Sequence, residues 1–202
     1  MTRTKLLAAI VAPAICCWPA ATQADISIII VPASQQVGLG ESVTVDLIIS
    51  GLTDYGAPSL GVFDLDLAFD PSILSLDSVV FGDPLLGDQL DLSGFGSITM
   101  FDDSAPGVLN LFELSLDPAA ILDTLQAGSF NLLSLTFNPL GIGASLLGLS
   151  LNALGDSLGS PLAATLGGAS IAVVPAPAAV ALGAAGLLCL LGSRFVPRRG
   201  NK

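Results

Sequence analysis

Residues 63–70 alternate without a break. Phe63, Leu65, Leu67 and Phe69 fall on one side, and Asp64, Asp66, Ala68 and Asp70 on the other. A period of two is the signature of a β-strand with one face on a core and the other in water. Val43, Val45, Leu47 and Ile49 make a second such face, with Thr44 and Asp46 opposite. Further strands are predicted over 26–31, 78–81, 98–101, 109–116, 130–137, 146–151 and 169–173. Turn signals separate them: Gly38-Leu39-Gly40, Asp70-Pro71, Gly82-Asp83-Pro84, Ser104-Ala105-Pro106-Gly107, Asp117-Pro118 and Asn138-Pro139. Two single helical turns are expected, over 71–74 and 118–125, with Asp70 and Asp117 as N-caps and Pro in the first helical position. The stretch 141–168 is rich in Leu, Gly and Ser, and its strands stand out least. No repeat of solenoid period is present. Many short strands at this spacing predict an all-β fold, a two-sheet sandwich or jelly roll.

The hydropathy changes character at both ends. Arg3 and Lys5 precede an apolar run over 6–15, and Pro19-Ala20-Ala21-Thr22-Gln23-Ala24 is a small-residue tail. This is the layout of a secretory signal peptide, with cleavage between Ala24 and Asp25. Ten apolar residues are too few to span a bilayer. Pro13-Ala14-Ile15-Cys16 lacks the Leu and small residues that usually precede a lipidated Cys, whether Cys16 or Cys17 is considered. At the other end, Val174-Pro175-Ala176-Pro177 is followed by an uncharged stretch from 178 to 192 and then by Arg194, Arg198, Arg199 and Lys202. Pro175 and Pro177 keep a helix from starting earlier. A helix over 178–196 is ~28 Å long, close to the ~30 Å hydrocarbon core, with Arg194 snorkelling to the interface. The basic tail over 194–202 then stays cytoplasmic and the body outside. A buried C-terminal helix is the alternative, and the terminal Arg cluster argues against it. The chain thus divides into 1–24, a body over 25–173, and a C-terminal segment over 174–202.

Charge sharpens this division. The 202-residue chain has six Lys and Arg, seventeen Asp and Glu, and no His. Every basic residue lies in the two ends; every acid lies between Asp25 and Asp156. A mean hydropathy of +0.80 reflects both the apolar ends and a Leu-, Val- and Ile-rich body. A body of roughly 150 residues buries ~70% of its unfolded surface, so it needs no disulfide, and it has no Cys. A uniformly acidic body excludes nucleic acid as a partner, because phosphate contacts need Lys and Arg. Its self-repulsion is relieved by salt or divalent cations.

Without His, neither a Ser-His-Asp arrangement nor an ordinary zinc site exists. Without Lys in the body there is no Schiff base and no phosphate-loop Lys. Carboxylates remain. Asp64 and Asp66 sit on one strand face ~6.6–7 Å apart, within the range of glycosidase acid pairs. The strict alternation supports the plainer reading, the wet face of an amphipathic strand. Asp83 with Asp88, and Asp102 with Asp103, are candidate Ca²⁺ ligands, although neither pair follows a known loop spacing.

Two resemblances extend this picture. The Pro-containing motif, apolar helix and Arg-rich tail over 174–202 resemble the PEP-CTERM sorting signal of Gram-negative bacteria, with Ala176 where the family usually has Glu. That resemblance implies an exosortase-type transpeptidase as processing partner, attachment to the membrane through the C-terminal helix before processing, and later residence at the cell surface or in the extracellular matrix. The body resembles a cohesin module. The resemblance runs through Ile28-Ile29-Ile30-Val31-Pro32, the Val37-to-Val45 segment with its Gly38-Leu39-Gly40-Glu41-Ser42-Val43-Thr44-Val45, residues 63–76, residues 130–137, and Gly168-Ala169-Ser170-Ile171-Ala172-Val173. It implies a nine-stranded jelly-roll sandwich related to carbohydrate-binding modules. Cohesins bind dockerins through one sheet face, but no position here matches a specific dockerin-reading motif, and no dockerin-type calcium loop is present. The expectation is a non-catalytic, exported binding module for a protein or polysaccharide. A self-associating matrix component is the alternative, and a carboxylate glycosidase a distant one.

Overall fold

The computed structural model describes residues 25–175. In chain order they form β1 (Ser27–Val31), β2 (Ser34–Gly38), β3 (Val43–Ser50), β4 (Leu60–Ala68), β5 (Leu74–Phe81), β6 (Ser97–Asp102), β7 (Val108–Ser115), α1 (Ala119–Leu125), β8 (Ser129–Pro139), β9 (Gly143–Asp156), β10 (Thr165–Gly167) and β11 (Ala169–Val174). Two sheets result, in the orders β10-β1-β3-β8-β5 and β2-β11-β9-β4-β7-β6. This is the expected β-sandwich.

The apolar halves of the alternating strands meet between the sheets. From the first sheet come Ile28, Ile30, Val45, Leu47, Ile49, Leu133, Leu135 and Phe137; from the second come Phe63, Leu65, Leu67, Leu109, Leu111, Ile171 and Val173, all buried. Aromatic contacts join the layer: Phe63 stacks with Phe81 at 6.4 Å, and Phe69 meets Phe137 edge-on at 5.3 Å. Where β3 pairs with β8 the register shifts between Leu47 and Ile48. That bulge leaves Leu132 without a partner and lets both Leu132 and Leu133 be buried.

Eleven strands replace the nine implied by the cohesin resemblance because both end segments switch sheets. The first segment breaks after Val31 into β1 and β2, and the last breaks at Gly168 into β10 and β11. The halves pair in parallel across the molecule, β1 with β10 and β2 with β11. A Cβ at Gly168 would stand 2.6 Å from the Leu147 carbonyl oxygen, so the crossing backbone approaches too closely for a side chain. The strand β5 begins at Leu74, earlier than the expected 78, because a register shift between Leu76 and Ser78 disrupts its alternation. The unclear stretch 141–168 holds the fourteen-residue β9. Its register against β4 shifts twice, which blurs its period of two.

One cap differs from expectation. Asp70 behaves as predicted: its carboxylate accepts from the Ser72 amide at 2.9 Å, and its carbonyl accepts from Ile73 and Leu74. Asp117 does not cap α1; Pro118 occupies the N-cap position, with no side-chain cap. The Asp117 side chain is buried and turned the other way, accepting from the Leu92 amide at 2.7 Å and from the Ser93 amide and hydroxyl. A tertiary bond to the 82–96 loop wins over the local cap.

Candidate functional site

The outer face of the second sheet gathers most of the sequence candidates. On β4, Val62, Asp64 and Asp66 point away from the core that holds Phe63, Leu65 and Leu67. Across the ladder, Val62 is opposite Leu114, Asp64 opposite Phe112 and Asp66 opposite Asn110. One strand further, Leu114 is opposite Ile98, Phe112 opposite Met100 and Asn110 opposite Asp102. The face therefore has an apolar corner of Val62, Leu114, Phe112, Ile98 and Met100 beside a row of carboxylates. Ile98 is 44% and Met100 61% exposed. The strand carrying them, β6, ends the sheet. It is regular in register and free of Pro and Lys, the usual devices that blunt an edge.

The carboxylates on this face are held by amides. Asn110 Nδ2 donates to Asp64 at 2.7 Å and to Asp66 at 2.8 Å, and Asn152 donates to Asp64 at 3.1 Å. Both acids stand on a partly solvated surface, as the amphipathic strand requires, and not in the apolar pocket that prepares a catalytic acid.

The candidate Ca²⁺ ligands do not converge. Asp83 accepts from the amides of Leu85 and Leu86 at 2.7 and 2.8 Å, fixing its own turn. Asp102 accepts from the Ser104 amide at 2.9 Å. That backbone bond, then the Ser104 hydroxyl, holds its carboxyl below the usual range. Asp103 is exposed. Among the described residues no group of three or more His, Cys, Asp or Glu is arranged to hold a metal ion.

Asp88 has different company. The loop from Gly82 folds back through paired bonds between Asp83 and Gly87. Gly82 takes φ +71°, and a Cβ there would lie 2.7 Å from the Asp88 Cα. Gln126 clamps the loop by donating to the carbonyls of Leu60 and Gln89, both at 3.0 Å. Asp88 is thereby set against Ser97 and against Glu113, which faces the core from β7. The Ser97 hydroxyl is 2.6 Å from Glu113 Oε1 and 3.4 Å from Asp88 Oδ2. Glu113 is 0% exposed, and its Oε2 has no hydrogen-bond partner. Burial, then the Asp88 carboxyl alongside, pushes the Glu113 pKa up to about 9, against the lowering effect of Ser97. The sequence offered a signal for this residue: Glu113 shares strand parity with Leu109 and Leu111.

At the C-terminal end, Val174 is the last residue of β11, where its carbonyl accepts from the Leu39 amide at 2.9 Å. The strand thus reaches the first residue of the Pro motif, and Pro175 follows it exposed. Asp25 is exposed at the start of the described chain. Ala24, Ala176, Pro177, Arg194, Arg198, Arg199 and Lys202 lie outside the described residues, as do all of residues 1–24, where a signal peptide was expected, and the 178–196 segment.

No family model and no curated protein matches the sequence. Solved structures do. A non-cellulosomal cohesin from the archaeon Archaeoglobus fulgidus superposes with a TM-score of 0.56 at 17% identity, covering 79% of this chain and 98% of that one. The seventh ScaB type I cohesin of Pseudobacteroides cellulosolvens gives 0.56 at 15% identity over 75% and 94%. A type I cohesin from Clostridium thermocellum, determined in complex with a dockerin, gives 0.56 at 12% identity over 74% and 99%. At such identities the likeness is one of fold: the described body is a two-sheet sandwich of cohesin-like architecture.

Proposed function

We propose that this chain is a non-catalytic binding module that captures a protein partner on the outer face of β9, β4, β7 and β6. The observation that carries the proposal is the apolar corner around Ile98 and Met100, set beside Asp64, Asp66 and Asp102. Exposed apolar groups clustered within a polar rim mark interaction surfaces. The described residues contain no Lys, Arg or His, so the complementary partner brings the positive charge, as Lys or Arg around an apolar centre. One of the similar structures is a cohesin bound to a dockerin, which supports a protein as the partner class.

The ends of the sequence support export. In this proposal the signal peptide over 1–24 directs secretion, and the Val174–Pro177 motif with its apolar and basic sequels directs sorting by an exosortase-type transpeptidase. The module ends at the surface of a Gram-negative cell or in its exopolysaccharide. Mass spectrometry of the surface form tests this, because an intact Lys202 there excludes processing.

For the face itself, Met100→Asp in the full chain is expected to weaken partner capture about tenfold or more, the size of a hot-spot loss. Val80→Asp, on the other sheet and 44% exposed, leaves capture unchanged. A second reading, self-association as a matrix component, is favoured by the unblunted β6 edge. Salt separates the two: binding of a basic partner weakens as salt rises, whereas assembly of like-charged copies strengthens. Release of reducing sugar from a glycan would restore the glycosidase alternative.

A further inference from the structure

The body has one acid where the pattern asks for an apolar residue. On β7, Leu109, Leu111 and Glu113 face inward, and Glu113 is paired across the ladder with Phe63 on one side and Thr99 on the other. Burying a carboxyl is costly unless its oxygens are bonded and its charge is matched. One oxygen has Ser97; no donor reaches the other, and its polar neighbour is the Asp88 carboxyl. Asp88 stands beside it, and Asp91 adds a further negative charge close by. No basic side chain of the described body exists to offset them.

We propose that Glu113 and Asp88, with the Ser97 hydroxyl between them, bind one hard divalent cation of the Ca²⁺ type. The donor set is all oxygen, which suits Ca²⁺ and not Zn²⁺. Two carboxylates and a hydroxyl make a partial shell, consistent with the absence of a finished three-acid cage among the described residues. Ca²⁺ takes six to eight oxygens and accepts water and backbone carbonyls among them. Asp88 and Ser97 are only half-buried, so water reaches the site from their side. Asp91 is engaged with the Gly96 amide at 2.8 Å, so it contributes charge from behind. A proton on Glu113 would neutralise one of these acids; a dication neutralises the Glu113–Asp88 pair at once. Bound there, the ion ties the 82–96 loop to β7, next to the start of β6. The site lies on the inner side of the sheet and is independent of the docking proposal.

The test is thermal unfolding of the full chain in EDTA and in CaCl₂, with NaCl matched for ionic strength. The wild-type midpoint is expected to rise by ~5–10 °C at a hundredfold excess of Ca²⁺ over its Kd. Direct titration should give one ion per chain, and amide exchange across 82–96 should slow. Glu113→Gln is expected to fold in EDTA and to lose the Ca²⁺ response. If that variant does not fold, Asp88→Asn, at a half-buried loop position, serves in its place with the same expected loss. An equal rise with matched NaCl, an equal rise in wild type and variant, or no rise in the wild type would each overturn the proposal; the last would leave Glu113 neutralised by a proton alone.

Discussion

The strands β4 and β7 are neighbours, follow the same period of two, and both carry acids, yet they treat them oppositely. On β4 the acids alternate outward: Asp64 and Asp66 share the Asn110 amide and part of the solvent. On β7 the acid alternates inward, directly opposite Phe63. The alternation of a strand decides which face a residue takes; it does not decide whether that face suits it. Where the two agree, a carboxylate is an ordinary wet-face residue. Where they disagree, as at Glu113, something outside the pattern has to stabilise it.

Breaking the inward pair separates these cases. Phe63→Ala removes a side chain that is 0% exposed and is expected to cost ~3–5 kcal/mol, read by urea unfolding. On the other side of the pair, Glu113 makes stability depend on pH in EDTA. Its folded pKa is raised to about 9, so its contribution is complete below the unfolded carboxyl pKa and is lost as pH rises toward 9. Between pH 6 and 9 the wild type should lose up to ~1.4 kcal/mol per unit. Gln at this position does not titrate, so Glu113→Gln should remove the slope. Gly107, with φ +79° and room for no Cβ within 2.8 Å of the Phe69 carbonyl oxygen, closes the turn that feeds β7. Gly107→Ala is expected to cost ~1–3 kcal/mol. On the outward side, Asp64→Asn or Asp66→Asn should change stability by no more than ~0.5 kcal/mol. An effect as large as that of Glu113→Gln would erase the distinction between the two strands.

The sandwich was legible because β3, β4, β7 and β8 alternate strongly enough to reveal a single buried face. The switch of both end segments between sheets was not, because Gly168 and the Val31-Pro32 step report only that the chain bends, not where it goes next. The strand β5 and the long β9 were blurred by register shifts, which add a residue to the period. Asp117 looked like a cap because its sequence neighbours are those of a cap; its actual partners, Leu92 and Ser93, lie about 25 residues away in sequence. Asp64 and Asp66 were placed correctly on a shared face. Asp83 and Asp102 proved to be occupied with their own turns, while Asp88 met a partner, Glu113, that only the fold brings to it. The proposed docking face likewise joins residues from four strands, and no local pattern marks Met100 as its centre.

The most direct test of the account is an amide-exchange footprint of the captured partner on the full chain. Protection is expected in β6 (Ser97–Asp102) and β7 (Val108–Ser115), extending to β4. Protection confined to β1, β3, β8 and β5, or none at all on the second sheet, would contradict it.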